Sequence, residues 1–300
     1  MEKPIIAVVG SLNVDYTYRV PRIPIPGETL TASESFTCFG GKGANQAIAA
    51  ARAGGSVRMI GCVGNDDSAD RYRKHLSDEG INIEGIIPTD SAPTGSAFIT
   101  VDDAGENAIV VDPGANHALR PEQIEQLAKL LESADALLLQ LECPIPVVRR
   151  AAEIARSAGV RVFLNPSPWD DAIRKPCPPI DVLIANETEA GQLTGKAFTS
   201  LDAHPDQQVN HTLIVTRGAE STLVFEANGE HFESTPPRVT PVDTVGAGDT
   251  FAGALSVAIA EQMELSAAVS FANQAAALAT QKAGAQTAIP CRQDIVNALG

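Results

Sequence analysis

The run Asp243-Thr244-Val245-Gly246-Ala247-Gly248-Asp249-Thr250-Phe251 carries a small-residue loop into a helix expected over residues 250–261. Gly246, Ala247 and Gly248 have almost no side-chain bulk, so their amides can close on a ligand. The helix points its unsatisfied first-turn N–H groups and positive dipole end at the same place. These are the parts of a phosphate receptor. A carboxylate beside it would repel a phosphate that is merely bound. It has a purpose if Asp249 takes the proton from a hydroxyl attacking that phosphate. Alone, the segment leaves an ordinary glycine-rich turn with an aspartate cap open.

A second small-residue loop, Phe39-Gly40-Gly41-Lys42-Gly43-Ala44-Asn45-Gln46, also opens a helix. Its glycines admit a polar ligand close to the backbone, with Lys42 and Asn45 as donors. It is neither a Walker loop nor the dinucleotide fingerprint, and a tight turn before a packed helix is the plainer alternative. In Gly10-Ser11-Leu12-Asn13-Val14-Asp15, Asn13 and Asp15 alternate along an extended segment and share one side. With Asn45 and Glu142 they suit neighbouring hydroxyls of a polyol. A substrate carboxylate would call for arginine, and these segments have none.

The elements that must hold these residues alternate. Strands are expected at 5–9, 57–60, 136–139, 160–164, 182–184 and 213–215. Helices are expected at 44–53, 69–79, 121–132, 146–158, 188–193, 250–260 and 265–282. Such alternation means βαβ units and an α/β fold with a mostly parallel sheet covered on both faces. Polar residues follow successive strands: Gln140 and Glu142, Asn165, Asn186 and Glu187, Thr216 and Arg217. Strand carboxyl ends are where open α/β sheets hold ligands. The runs 97–101 and 108–111 flank turn chemistry and read as a hairpin. With an extended region at about 13–39, the stretch at about 93–112 suggests a small antiparallel sheet inserted in a single domain spanning 1–300. Such a lid has an exposed face to cover, which makes a dimer the economical arrangement.

Bulk properties set limits. A 44% hydrophobic content supports a large core, and the net charge of −15 argues against nucleic acid or an anionic membrane as partner. No apolar run reaches membrane-spanning length, and the first residues read as a buried strand rather than a secretory signal. Cys38, Cys62, Cys143, Cys177 and Cys291 are scattered without metal spacing, which suits a reducing cytoplasm. His75, His117, His204, His211 and His231 are likewise isolated.

These segments together resemble the ribokinase family of carbohydrate kinases, in order and nearly end to end, from Gly10–Asp15 to Gly284-Ala285-Gln286. The resemblance implies a Rossmann-like three-layer αβα body with a β lid that pairs with the lid of a second subunit. It implies transfer of the ATP γ-phosphoryl group to the 5-hydroxyl of D-ribose. Asp249 would be the base, with the amides of Gly246, Ala247 and Gly248 as anion hole. Asn13, Asp15, Gly41, Lys42, Asn45 and Glu142 would hold the sugar. Asn186, the loop Thr216, Arg217, Gly218, Ala219, Glu220 and Ser221, and Asn273 would line the nucleotide site. Glu189 would help place Mg2+. A monovalent cation, K+, would sit near Asp243, Val245, Ala279, Lys282, Gly284 and Ala288. Ala288 replaces a common serine, which bears on the strength of potassium activation, and Asn273 replaces a common histidine. Two other readings differ in substrate or class: a kinase for deoxyribose, fructose or a nucleoside, and a non-catalytic sugar- or nucleotide-binding module. The second would need a damaged anion hole or base.

Overall fold

In the computed structural model, which describes residues 2–174, 178–203 and 211–300, the strands are β1 (Ile5–Val9), β2 (Asn13–Arg19), β3 (Glu34–Gly40), β4 (Ser56–Gly64), β5 (Asn82–Thr89), β6 (Gly95–Val101), β7 (Asn107–Asp112), β8 (Ala136–Leu139), β9 (Arg161–Leu164), β10 (Val182–Asn186), β11 (Thr212–Arg217), β12 (Glu220–Phe225) and β13 (His231–Ser234). The helices are α1 (Lys42–Ala53), α2 (Asp67–Asp78), α3 (Pro121–Gln126), α4 (Ala128–Glu132), α5 (Ile145–Ser157), α6 (Glu187–Thr194), α7 (Ala247–Ala260), α8 (Leu265–Ala279), α9 (Ala285–Ala288) and α10 (Arg292–Leu299). Cys177 and His204 lie outside the described residues.

β1 shows how the body is layered. Ile6 and Val8 enter one core with Ala47 and Ile48 of α1, Phe251 and Leu255 of α7, and Val269 of α8. Ala7 and Val9 enter the other, with Ile124 of α3, Leu131 of α4 and Val148 of α5. Alternate side chains thus feed opposite faces, and the fold is a three-layer αβα body. The main sheet runs β13-β12-β11-β10-β9-β8-β1-β4-β5. All pairings are parallel except β11 with β12 and β12 with β13. β1 lies between β8 and β4, so the strand order reverses there. That reversal opens the crevice where ligands of such sheets bind.

Two features place the site in that crevice. α7 lies directly on α1: a Cβ added at Gly253 would stand 2.5 Å from Ala49 Cβ and 2.6 Å from Gln46 O. Only glycine permits this approach, which brings the first turns of both helices together. The second sheet, β3-β2-β6-β7, rises beside them.

This lid is mixed rather than antiparallel as expected. β2 pairs with β3 antiparallel but with β6 parallel, Asn13 opposite Gly95. Both strands leave the body from the same edge, β2 after β1 and β6 after β5, so they must run the same way. The hairpin β6–β7 is as expected. The helix expected at 121–132 divides at Leu127, and that expected at 265–282 ends at Ala279. β5 escaped the strand pattern because Gly85 and Pro88 interrupt it, and an edge position tolerates both. No described helix is long and apolar enough to cross a membrane.

Candidate active site

Asp249 sits in the first turn of α7 and is 6% exposed. Asn45 Nδ2 donates to its Oδ2 at 3.0 Å, and Gln46 Nε2 donates to its Oδ1 at 3.0 Å. The two glycine-rich segments, some two hundred residues apart in sequence, therefore meet on one carboxylate. Gly246 caps the helix at φ 77° without a side-chain bond. The Ala247 amide donates to Thr244 O at 3.3 Å, whereas those of Gly248 and Asp249 have no protein acceptor among the described residues. The Gly246 amide likewise has no acceptor among the described residues, so two of the expected set, Gly246 and Gly248, present open amides and that of Asp249 joins them.

Lys42, Glu142 and Asp15 gather across from Asp249. Glu142 Oε2 accepts from the Lys42 amide at 2.9 Å and from Ser11 Oγ. Burial alone would lower the Lys42 ammonium, but Asp249, Glu142 and Glu189 outweigh it and hold its pKa above the ordinary value. Asp15 lies over Gly40, filling the space a Cβ there would take. Burial first, then the Glu142 carboxylate, pushes the Asp15 carboxyl up to about 7. Asn13 and Asp15 share a face of β2, as expected. Asn13 Oδ1 accepts from Asn116 Nδ2 at 2.7 Å.

The expected nucleotide residues lie on β10, on β11 and the start of β12 with the turn between them, and, for Asn273, on α8. Asn186 and Glu189 form a reciprocal cap on α6, the Asn186 side chain accepting from Glu189 N at 2.8 Å and Glu189 Oε2 accepting from Asn186 N at 3.0 Å. One Glu189 oxygen is therefore committed to the helix. Arg217 donates to Ser221 O and to Thr199 O, which closes the loop through Gly218, Ala219 and Glu220. Thr216 Oγ1 donates to Ala185 O. Asn273 accepts from Thr222 Oγ1 at 2.8 Å and donates to Ser234, so its amide ties α8 to β12 and β13.

Of the residues expected around a cation, Asp243, Val245 and Gly284 are in contact. Asp243 Oδ1 accepts from Val245 N at 3.0 Å and Oδ2 from Gly284 N at 2.8 Å, joining the loop before α7 to the loop before α9. Ala279 and Ala288 are buried there, while Lys282 is exposed. Among the described residues no three His, Cys, Asp or Glu side chains form a metal cage.

Several residues of the site carry no motif signal. Ser11 Oγ accepts from Gly43 N at 3.2 Å while donating to Glu142. Gln286 Nε2 donates to Asn45 Oδ1 at 3.0 Å and to Tyr72 OH at 2.9 Å, and Tyr72 donates to Gly40 O. Because that amide nitrogen donates, Gln286 Oε1 accepts from His75 Nε2 at 3.0 Å, and this histidine is structural. Asn116 clasps Leu12 and Asn13. Each is a partner more than 25 residues distant, which no local pattern announces.

Comparison with known proteins shows the family. Residues 3–292 match the family model described as pfkB family carbohydrate kinase. A ribokinase of Haemophilus influenzae is 37% identical over 98% of both chains, and one of Staphylococcus aureus is 38% identical over 97% of this chain and 98% of its own. A solved structure of Arabidopsis thaliana ribokinase complexed with ribose and ATP superposes with a TM-score of 0.90 at 30% identity, covering 100% of this chain and 99% of that one. An α/β body that presents a buried carboxylate beside open helix amides, under a β lid, is the architecture of a carbohydrate kinase. The chain belongs to the pfkB family of carbohydrate kinases.

Proposed function

We propose that this chain is an ATP-dependent kinase that transfers the γ-phosphoryl group to the 5-hydroxyl of D-ribose, giving D-ribose 5-phosphate and ADP. The observation that carries the reading is the Asp249 carboxylate, buried against α1 at a helix start whose amides, its own included, lack a protein acceptor among the described residues. The ribokinase relatives match over the full chain, which makes ribose the acceptor of choice.

In this reading Asn13, Asp15, Gly41, Lys42, Asn45 and Glu142 hold the sugar hydroxyls. The 5-oxygen forms its bond to the γ-phosphorus as the bond from that phosphorus to the bridging oxygen of ADP breaks. Asp249 orients the hydroxyl and accepts its proton late, since an aspartate is a weak base toward an alcohol. The amides of Gly246, Ala247 and Gly248, joined by that of Asp249 and by the Lys42 ammonium, face the charge that develops on the equatorial oxygens. Asn186, Asn273 and the 216–221 loop line the nucleotide.

Magnesium is ordinarily held by one or two carboxylates together with substrate phosphates. The free Glu189 oxygen fits that role, and the ion would neutralise phosphate charge. Potassium would lie among backbone carbonyls around Asp243, Val245, Ala279, Lys282, Gly284 and Ala288. The chain acts as one kinase domain over 1–300, its lid built from about 13–39 and 93–112. Phe36, Ile109 and Val111, each about half exposed, stand on the lid face that carries Asp15, and a second subunit's lid would cover them.

A coupled ADP-release assay across ribose, deoxyribose, fructose and nucleosides, with and without potassium, tests the proposal. Ribose is expected to give the highest kcat/KM, with faster turnover in potassium. A nucleoside or hexose exceeding ribose would overturn the acceptor assignment.

A further inference from the structure

Asp249 does not lie loose in its crevice, and the group that fixes it is outside both the expected sugar set and the anion hole. Gln46 Nε2 donates to Asp249 Oδ1 at 3.0 Å and to Asn165 Oδ1 at 3.1 Å. Gln46 Oε1 accepts from Gln140 Nε2 at 2.6 Å, and Asn165 Nδ2 donates to Ile184 O at 2.9 Å. Gln46 and Gln140 are both fully buried, and the network joins α1 to the carboxyl ends of the neighbouring strands β8 and β9.

The chain has one sense only. An ionised Asp249 can accept but not donate, so the Gln46 nitrogen must face it. Gln46 oxygen must then face Gln140, whose nitrogen must face Gln46. That sense turns Gln140 Oε1 away, buried and with no hydrogen-bond partner among the described residues. Leaving a buried carbonyl unpaired is costly, and the sense of the chain, set by the carboxylate at its end, leaves it no alternative. Asn45 holds the other carboxylate oxygen, but its own Oδ1 is engaged by Gln286, so each oxygen of Asp249 has one amide donor and one free lone pair.

We infer that Gln46, anchored by Gln140 and Asn165, is a positioning residue that sets the direction in which the Asp249 carboxylate presents its free lone pair to the acceptor hydroxyl. The inference rests on Asp249 being the group that meets that hydroxyl. It assigns to the conspicuously polar Gln46, on an otherwise alanine-rich buried helix, a role in turnover rather than in sugar affinity.

The test compares the full-length parent with Q46M, Q46E and Q140M for kcat, both KM values, thermal midpoint and the pH profile of kcat. Q46M and Q46E are expected to lose roughly tenfold or more in kcat, since small misplacements of a reacting group are expensive. Both KM values should stay within about twofold, the pattern of an interaction made only in the transition state. Q140M, one bond further out, should show the same pattern with a loss of roughly threefold. Q46E sets two carboxylates face to face, which retain a shared proton to higher pH. Its kcat should therefore fall off at higher pH than the parent's, a displacement that loose packing does not produce. Should Q46M fail to fold, Q46E has the same length and carries the comparison. A kcat within about twofold of the parent in both Gln46 variants, or KM and thermal midpoint changing in step with kcat, overturns the inference. If the parent turns over no ribose, the acceptor assignment fails instead. A crystal structure of Q46M then decides the present point: a rotated Asp249 carboxylate supports it and an unmoved one overturns it.

Discussion

The two glycine-rich helix starts look alike in sequence and do opposite things. At α1 every first-turn amide has a partner: Lys42 N donates to Glu142, Gly43 N to Ser11 Oγ and Ala44 N to Ser11 O. At α7 the amides of Gly248 and Asp249 have none among the described residues. The α1 start is a closed joint that delivers side chains, Lys42, Asn45 and Gln46, to the crevice. The α7 start is open and delivers backbone amides together with the Asp249 carboxylate. Small residues at a helix N-terminus thus permit close approach without saying whether protein or ligand makes it.

The largest effect should come from the open start. Asp249→Ala is expected to lower kcat by at least ~10²-fold, while equilibrium titration shows ATP binding nearly unchanged. Turnover near that of the parent would remove Asp249 from the reaction. Next come paired alanine substitutions. A Cβ at Gly43 would stand 2.4 Å from Ser11 N, whereas one at Gly248 meets nothing within 4 Å. Gly43→Ala should cost about 1–3 kcal/mol of stability in denaturant titration. Gly248→Ala should leave stability unchanged and act on turnover alone. Equal unfolding midpoints for the two would erase the distinction drawn here.

A smaller effect concerns charge on the lid side. Burial and then Glu142 push Asp15 up to about 7 from an ordinary 3.8. The folded protein keeps a proton there that the unfolded chain has released, so this group favours folding at low pH. Its contribution is fully present below about pH 4 and is lost as pH rises through about 7. Asp15→Asn should flatten the thermal midpoint between pH 5 and 8 and raise the sugar KM (about tenfold for a lost charged hydrogen bond). An unchanged pH slope would show that other groups set it, and an unchanged KM would remove Asp15 from the sugar site.

Much of the architecture was legible in sequence because a parallel sheet buried on both faces writes itself as aliphatic runs. Residues 5–9 and 136–139 were bounded as observed for that reason. Edge strands obey weaker rules, and Pro88 hid β5. The direction of β6 in the lid depends on where the chain leaves the body, which is global information. The same limit applies to the site. Asp249, Asn45 and Glu142 stand in motifs and could be named as candidates. Ser11, Tyr72, Asn116 and Gln286 matter through contacts across the fold and are unremarkable by type, while Gln46 stands out in its segment but its partners do not. His75 is the converse: an isolated histidine that proves to be a strut.

The parallel exit of β2 and β6 has a mechanical consequence. The two strands leave the body abreast, and Asn116 rivets the root of one, at Leu12 and Asn13, beside Gly95 at the root of the other. A panel hung from two adjacent hinges can swing but cannot shear. Asn13 stands at the hinge line and Asp15 just beyond it, so any swing of the panel would carry the Asp15 side chain with it. Door and handle are one piece.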